Sequence, residues 1–238
     1  MTETFEGLQD GELIRLFWAA VVVSLIAPRL PYGRWIVYPF SLLSTWAHEM
    51  GHGLTAIAFG GSFHRLELWG NLEGVAWFGG VGPLRRAIVA AGGLLAPAMA
   101  GGIIIILGAR EATAPFILTG LAVLVWVSIF FFVRNRFGMA ALTLIGMAMV
   151  LLALRAPEPA KIFVAQLIGI QFCIASWGSM NYMFTKNFRD HSGAITDSDT
   201  QAIANVLLLP YWFWGTLIAA TSLAILGGSF YLAWLAEW

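Results

Sequence analysis

Most of this chain falls into apolar stretches close to the ~20 residues that a helix needs to cross a bilayer. Seven such stretches cover residues 13–27, 35–59, 87–109, 115–133, 137–154, 161–184 and 212–234. Only 11% of residues are charged and 59% are hydrophobic, against about 25% and 45–50% in soluble domains. So few ionisable groups cannot cover a soluble surface of this size, and disordered chains are less hydrophobic still. The expected fold is an all-α polytopic membrane protein, with about six to seven transmembrane helices in one integral-membrane domain over residues 1–238. Glu3, Glu6, Asp10 and Glu12 precede the first span, where a cleaved signal would carry basic residues. The thirteen basic and thirteen acidic residues balance, so nothing points to nucleic acid as a partner. The lone cysteine, Cys173, has no partner for an internal disulfide.

Two connections are too long to be turns. In residues 62–80, Phe63, Leu66, Leu68, Val75 and Trp77 alternate imperfectly around Gly70-Asn71, the pattern of a small β-hairpin. Residues 185–200 form a polar loop, followed by the apolar run 202–209. Ser198 or Asp199 is placed to cap a short helix there, with Pro210 ending it. With seven spans, Arg15, Arg65, Arg85, Arg86, Arg134, Arg136, Lys186 and Arg189 share one side, against Arg29, Arg34, Arg110, Arg155 and Lys161 on the other. The positive-inside rule then puts the N-terminus and both long loops in the cytoplasm.

Twelve of the thirteen acidic residues fall in loops or at chain ends, and Glu49 alone lies inside a span. A charge at that depth costs about 2.5–3.5 kcal/mol on insertion scales, which makes it a functional candidate. Its neighbours are His48-Glu49-Met50-Gly51-His52, an HExxH motif whose chance expectation in a chain of this composition is roughly 0.3%. Residues four apart share a helix face, so His48 and His52 can offer imidazole nitrogens to one zinc ion. Glu49 projects about 100° away, placed to take a proton from an activated water and return it to a leaving amine. The plainer alternative is a buried hydrogen-bonded cluster that holds helices together.

With this motif the chain resembles the site-2 protease class of intramembrane zinc metallopeptidases, in the compact bacterial and plant branch that lacks large inserted domains. The likeness begins near Tyr38-Pro39-Phe40 and runs through His48–Gly53, Ala58-Phe59-Gly60-Gly61 and the hairpin to Ala90-Ala91-Gly92-Gly93-Leu94-Leu95-Ala96-Pro97. A weaker patch follows around Ser198-Asp199-Thr200 and Leu208-Leu209-Pro210. The resemblance implies cleavage of a membrane-embedded or membrane-proximal protein or peptide, with Zn2+ as cofactor and the cytoplasmic membrane as location in a bacterium. It also implies that the hairpin admits an extended substrate strand; the alternative is an interfacial loop packed beneath the helices.

Two features depart from the class. The span after the hairpin lacks the asparagine of a Gly-Pro-x-x-Asn-like motif. The usual third ligand, an aspartate in an Asn-Pro-Asp-Gly or Leu-Asp-Gly motif on a later span, is also missing. Asp199, in the resembling patch, is the favoured replacement, with Asp197, Asn181 and His191 as alternatives. The rival functions are a catalytically inactive member that binds or chaperones membrane partners, and a metal-handling transporter. Oligomeric state is not legible.

Overall fold

The computed structural model describes residues 10–178, 180–189 and 193–236, without the side chains of residues 10 and 176–181. Its long helices are α1 (Asp10–Ile26), α2 (Gly33–Ala58), α3 (Pro83–Leu107), α4 (Ala114–Phe131), α5 (Arg136–Arg155), α6 (Glu158–Gly178) and α9 (Tyr211–Trp234). Two short ones, α7 (Met180–Met183) and α8 (Asp199–Leu207), lie between α6 and α9. Pro83 and Pro115 sit in the first turns of α3 and α4, where a missing amide leaves no bond unmade. The expected spans all appear as helices, and six are long and apolar enough to cross a membrane. The chain is therefore a multi-pass membrane protein. The seventh, α2, has 26 residues and is about 39 Å long. Its polar side chains, the HExxH residues among them, lower its hydropathy.

Helix α3 is the axis of the bundle and packs against α2, α6, α8 and α9. Small residues let it approach closely: a Cβ on Gly101 would fall 2.5 Å from the Gly169 carbonyl of α6. Such seams carry helix association in lipid, where apolar burial alone favours no contact over another. The largest buried cluster joins Leu42, Leu43 and Trp46 of α2 to Leu118 and Val125 of α4, Leu142 of α5 and Phe172 of α6.

Helix α1 corrects the expected topology. Leu13 groups with Ala114 and Ile162, at the starts of α4 and α6, and Phe17 groups with Leu167 and Ile170. Phe17 also packs 4.8 Å from Trp234, at the end of α9. Helix α1 thus runs parallel to α6, whereas strict alternation makes the first and sixth spans antiparallel. Arg15 lies at the end that carries Arg110, Arg155 and Lys161, so the count of eight against five, which rests on strict alternation, does not hold for this packing.

The hairpin forms as read, from β1 (Ser62–Leu68) and β2 (Gly74–Gly79). Its alternation is imperfect because the register shifts between Phe63 and Arg65, leaving His64 unpaired in a bulge. It folds back along α2 rather than beneath the helices. Tyr38 donates to the Gly70 carbonyl at 2.9 Å and Thr45 to that of Leu72 at 3.0 Å. On the far edge of β1, the Leu66 amide donates to the Phe132 carbonyl and the Leu66 carbonyl accepts from the Arg134 amide. Asn135 bonds both backbone groups of Leu68. The polar loop contains a second small hairpin, β3 (Asn187–Arg189) with β4 (Ile195–Asp197). Three-residue strands are too short to leave a periodic signature.

Candidate metal centre

The centre is assembled from α2, α3, α8 and β2. On α2, the rings of His48 and His52 lie 4.6 Å apart, nearly perpendicular, with their Nε2 atoms 3.0 Å from each other. Glu49 and His52 are buried, and His48 is partly open to the cavity. His52 Nδ1 lies 2.9 Å from the Val89 carbonyl of α3. That acceptor is met when Nδ1 carries the proton, which leaves the Nε2 lone pair aimed into the site. The imidazole reaches the α3 backbone because residue 93 is glycine: a Cβ there would lie 2.2 Å from His52 Cε1.

Asp199 arrives from α8. Ser198 accepts the Gln201 amide and fills the N-cap, so Asp199 is not needed as the cap and its carboxylate turns to the histidines. Its Oδ2 lies 3.2 Å from His48 Nε2 and 3.3 Å from His52 Nε2. The buried Oδ2 makes no hydrogen bond of its own. A tetrahedral ion with bonds of about 2.0–2.1 Å separates its ligand atoms by about 3.3–3.4 Å. The observed triangle of 3.0, 3.2 and 3.3 Å is within a few tenths of that spacing, and a cation would satisfy the orphaned oxygen. Two imidazoles with one carboxylate also make a recurrent zinc donor set. Burial alone would raise the Asp199 carboxyl, but the His52 and His48 rings, when protonated, outweigh it and hold the group well below the usual carboxylate range.

The other candidates lie elsewhere. Asp197 is exposed, and its carboxylate accepts from Asn187 at 2.8 Å and from Asn205 at 2.9 Å. His191 and the Asn181 side chain lie outside the described residues. His64 is exposed at the bulge and faces Ser62 at 3.0 Å.

Glu49 sits beside the triangle, against β2. A Cβ on Gly74 would come within 2.7 Å of Glu49 Cγ and 2.9 Å of Oε1, so only a glycine lets the strand pass this close. The Phe78 ring lies nearly parallel to that of His52, 6.1 Å away. A cavity of about 1340 Å³ opens onto His48 and Glu49, with Thr45, Gly74, Leu94, Pro97, Gln171 and Tyr182 among its walls. Where the asparagine of the class would stand, α3 thus presents Pro97. Ser44 and Thr45 donate to carbonyls one turn back on α2, as helical hydroxyls commonly do, while also lining the cavity.

The comparison of the whole sequence bears on the same residues. A model of the Peptidase M50B-like family matches residues 16–229. The chain belongs to the Peptidase M50B-like family. The match includes α2, the hairpin and α8, and agrees with the site-2 protease resemblance. Zinc dependence is general among M50 peptidases, and the described groups that can hold a metal are His48, His52 and Asp199. No curated protein and no solved structure matches the chain.

The sequence gives several residues no role at the metal site. Val89 acts through a backbone carbonyl and Gly93 through the absence of a side chain, neither of which leaves a motif. Tyr182 and Thr200, which anchor α8, become neighbours only in the fold.

Proposed function

We propose that this protein is an intramembrane zinc peptidase in which His48, His52 and Asp199 hold the ion and Glu49 is the general base and acid. The reading is carried by the three-atom triangle with edges of 3.0–3.3 Å, which has a buried carboxylate beside it in a chain of a peptidase family. Bound zinc would supply a Lewis acid that polarises a carbonyl and lowers the pKa of water towards ~7.

The protein's own groups divide the remaining work. Glu49 takes the proton of the attacking water and passes it to the leaving amide nitrogen. The Val89 carbonyl fixes the orientation of His52. Leu66 spends its backbone groups away from β2, so the facing pair with Ala76 is not hydrogen-bonded. Ala76 therefore points its own amide and carbonyl away from β1, on the strand whose Gly74 and Val75 line the cavity. That edge can take up an extended peptide by β-augmentation, and the substrate is an unwound segment of a membrane protein or a membrane-proximal peptide. The protein's place would be the cytoplasmic membrane in a bacterium.

Purified protein reconstituted with a membrane-peptide substrate tests this. Wild type should hold about one zinc per chain and cleave, and Glu49→Gln should keep the zinc while losing about 10²–10⁴-fold in turnover. A zinc-free wild type refutes the metal site. A Glu49→Gln protein with full biological effect and no cleavage favours the binding or chaperone role instead.

A further inference from the structure

The start of α8 is tied to the segment before it by more hydrogen bonds than its nine residues need for themselves. The Ser198 amide donates to the Lys186 carbonyl at 2.9 Å, and the Ser198 hydroxyl to that of Thr185 at 2.7 Å. The Thr200 hydroxyl donates to the Met183 carbonyl at 2.7 Å. The Asp199 amide donates to the Tyr182 hydroxyl at 3.2 Å. Ser198 and Thr200 are fully buried. Tyr182 differs from them because it also lines the cavity beside His48 and Glu49.

The position of Asp199 explains the need for such a clamp. In the resembling class the third ligand rides on a spanning helix, which fixes it along its length. Here it occupies the first position of a nine-residue helix that follows a loop. A ligand there must be held from outside, and ligating carboxylates in general take a second hydrogen bond that fixes their rotamer. Tyr182 has the chemistry for this. By accepting the Asp199 amide, its oxygen leaves its own proton free to donate. A phenol is protonated at neutral pH, so its hydrogen is available to donate. Its ring rests edge-on against Phe188 at 4.8 Å, which leaves the hydroxyl little freedom to swing away.

We propose that Tyr182 is the positioning residue of the third metal ligand. It holds Asp199 at two points, accepting its amide and donating to its carboxylate, and so sets the affinity of the His48–His52–Asp199 cluster for a divalent cation. This rests on reading the cluster as a metal site.

The test compares full-length wild type with Tyr182→Phe in detergent, since phenylalanine keeps the ring and removes only the hydroxyl. Three quantities are measured: zinc affinity by competition with a chromophoric chelator, the absorption spectrum of the cobalt(II)-substituted protein, and thermal unfolding of the metal-free protein. Tyr182→Phe should bind zinc roughly 10–100-fold more weakly and shift the cobalt spectrum, with metal-free unfolding coincident with wild type. Equal affinity with an unchanged spectrum overturns the proposal. So does a metal-free variant that has lost its fold, because the hydroxyl would then be structural. A wild type that binds no zinc fails at the earlier step, the metal site itself.

Discussion

Replacing Gly93 with alanine should empty the metal centre while leaving the bundle standing. The added Cβ would lie 2.2 Å from His52 Cε1, 2.3 Å from Nε2 and 2.5 Å from Nδ1. Ordinary carbon contacts begin near 3.4 Å, so the imidazole must retreat by roughly 1.2 Å, whereas metal–ligand bonds tolerate about 0.2 Å. The retreat also breaks the bond to the Val89 carbonyl. Losing an outer-shell partner alone costs up to about 100-fold in metal affinity, so displacing the ligand itself should cost more than that. Overpacking a seam costs about 1–3 kcal/mol, partly offset by the ~1 kcal/mol that alanine gains over glycine in a helix. The folded state should survive. Zinc per chain after dialysis against a weak chelator gives the first readout, and metal-free unfolding of variant and wild type gives the second. Gly120→Ala serves as the control, because nothing lies within 4 Å of a Cβ there, and it should hold zinc like wild type. A Gly93→Ala protein with wild-type zinc affinity would show that His52 does not sit against α3 in this way.

Two further substitutions separate the base from the ligands. Gly74→Ala pushes a methyl group into Glu49, so turnover should fall at least tenfold while zinc content stays at wild type; loss of zinc instead would mean that β2 braces the ligands. Asp199→Ala should abolish zinc retention. Asp197→Ala should keep it and cost about 1 kcal/mol or less, as expected of exposed hydrogen bonds. Reversed zinc contents in metal analysis would assign the third ligand to Asp197.

The legible parts of this protein are those that repeat or cluster along the chain. Seven apolar stretches gave seven long helices because bilayer thickness imposes a length on each one. The histidine pair and Glu49 were legible because a single helical turn brings them together without help from the rest of the fold. Asp199 was harder to assign. Its pairing with α2 spans about 150 residues of chain, and in the sequence a helix cap explained it better than a metal ligand did. The neighbouring serine decided between the two, and Ser198 versus Asp199 at the cap is settled by backbone geometry that no spacing encodes. The direction of α1 failed for a related reason. Charge counting assumes strict alternation, and the packing of Phe17 between α6 and α9 does not obey it.

The hairpin shows why non-helical backbone can lie against α2 at all. In hydrocarbon, every unpaired amide and carbonyl costs several kcal/mol, so a two-stranded sheet should not survive with two open edges. The outer edge of β1 is closed by residues 132–135, and the tip is tied to Tyr38 and Thr45. The other edge is that of β2, whose Gly74 and Val75 line the cavity of His48 and Glu49. In the proposed strand docking, a peptide that pairs along this edge comes to lie beside the Glu49 carboxylate, because Gly74 brings the strand into contact with it, so that docking and delivery to the base become one event.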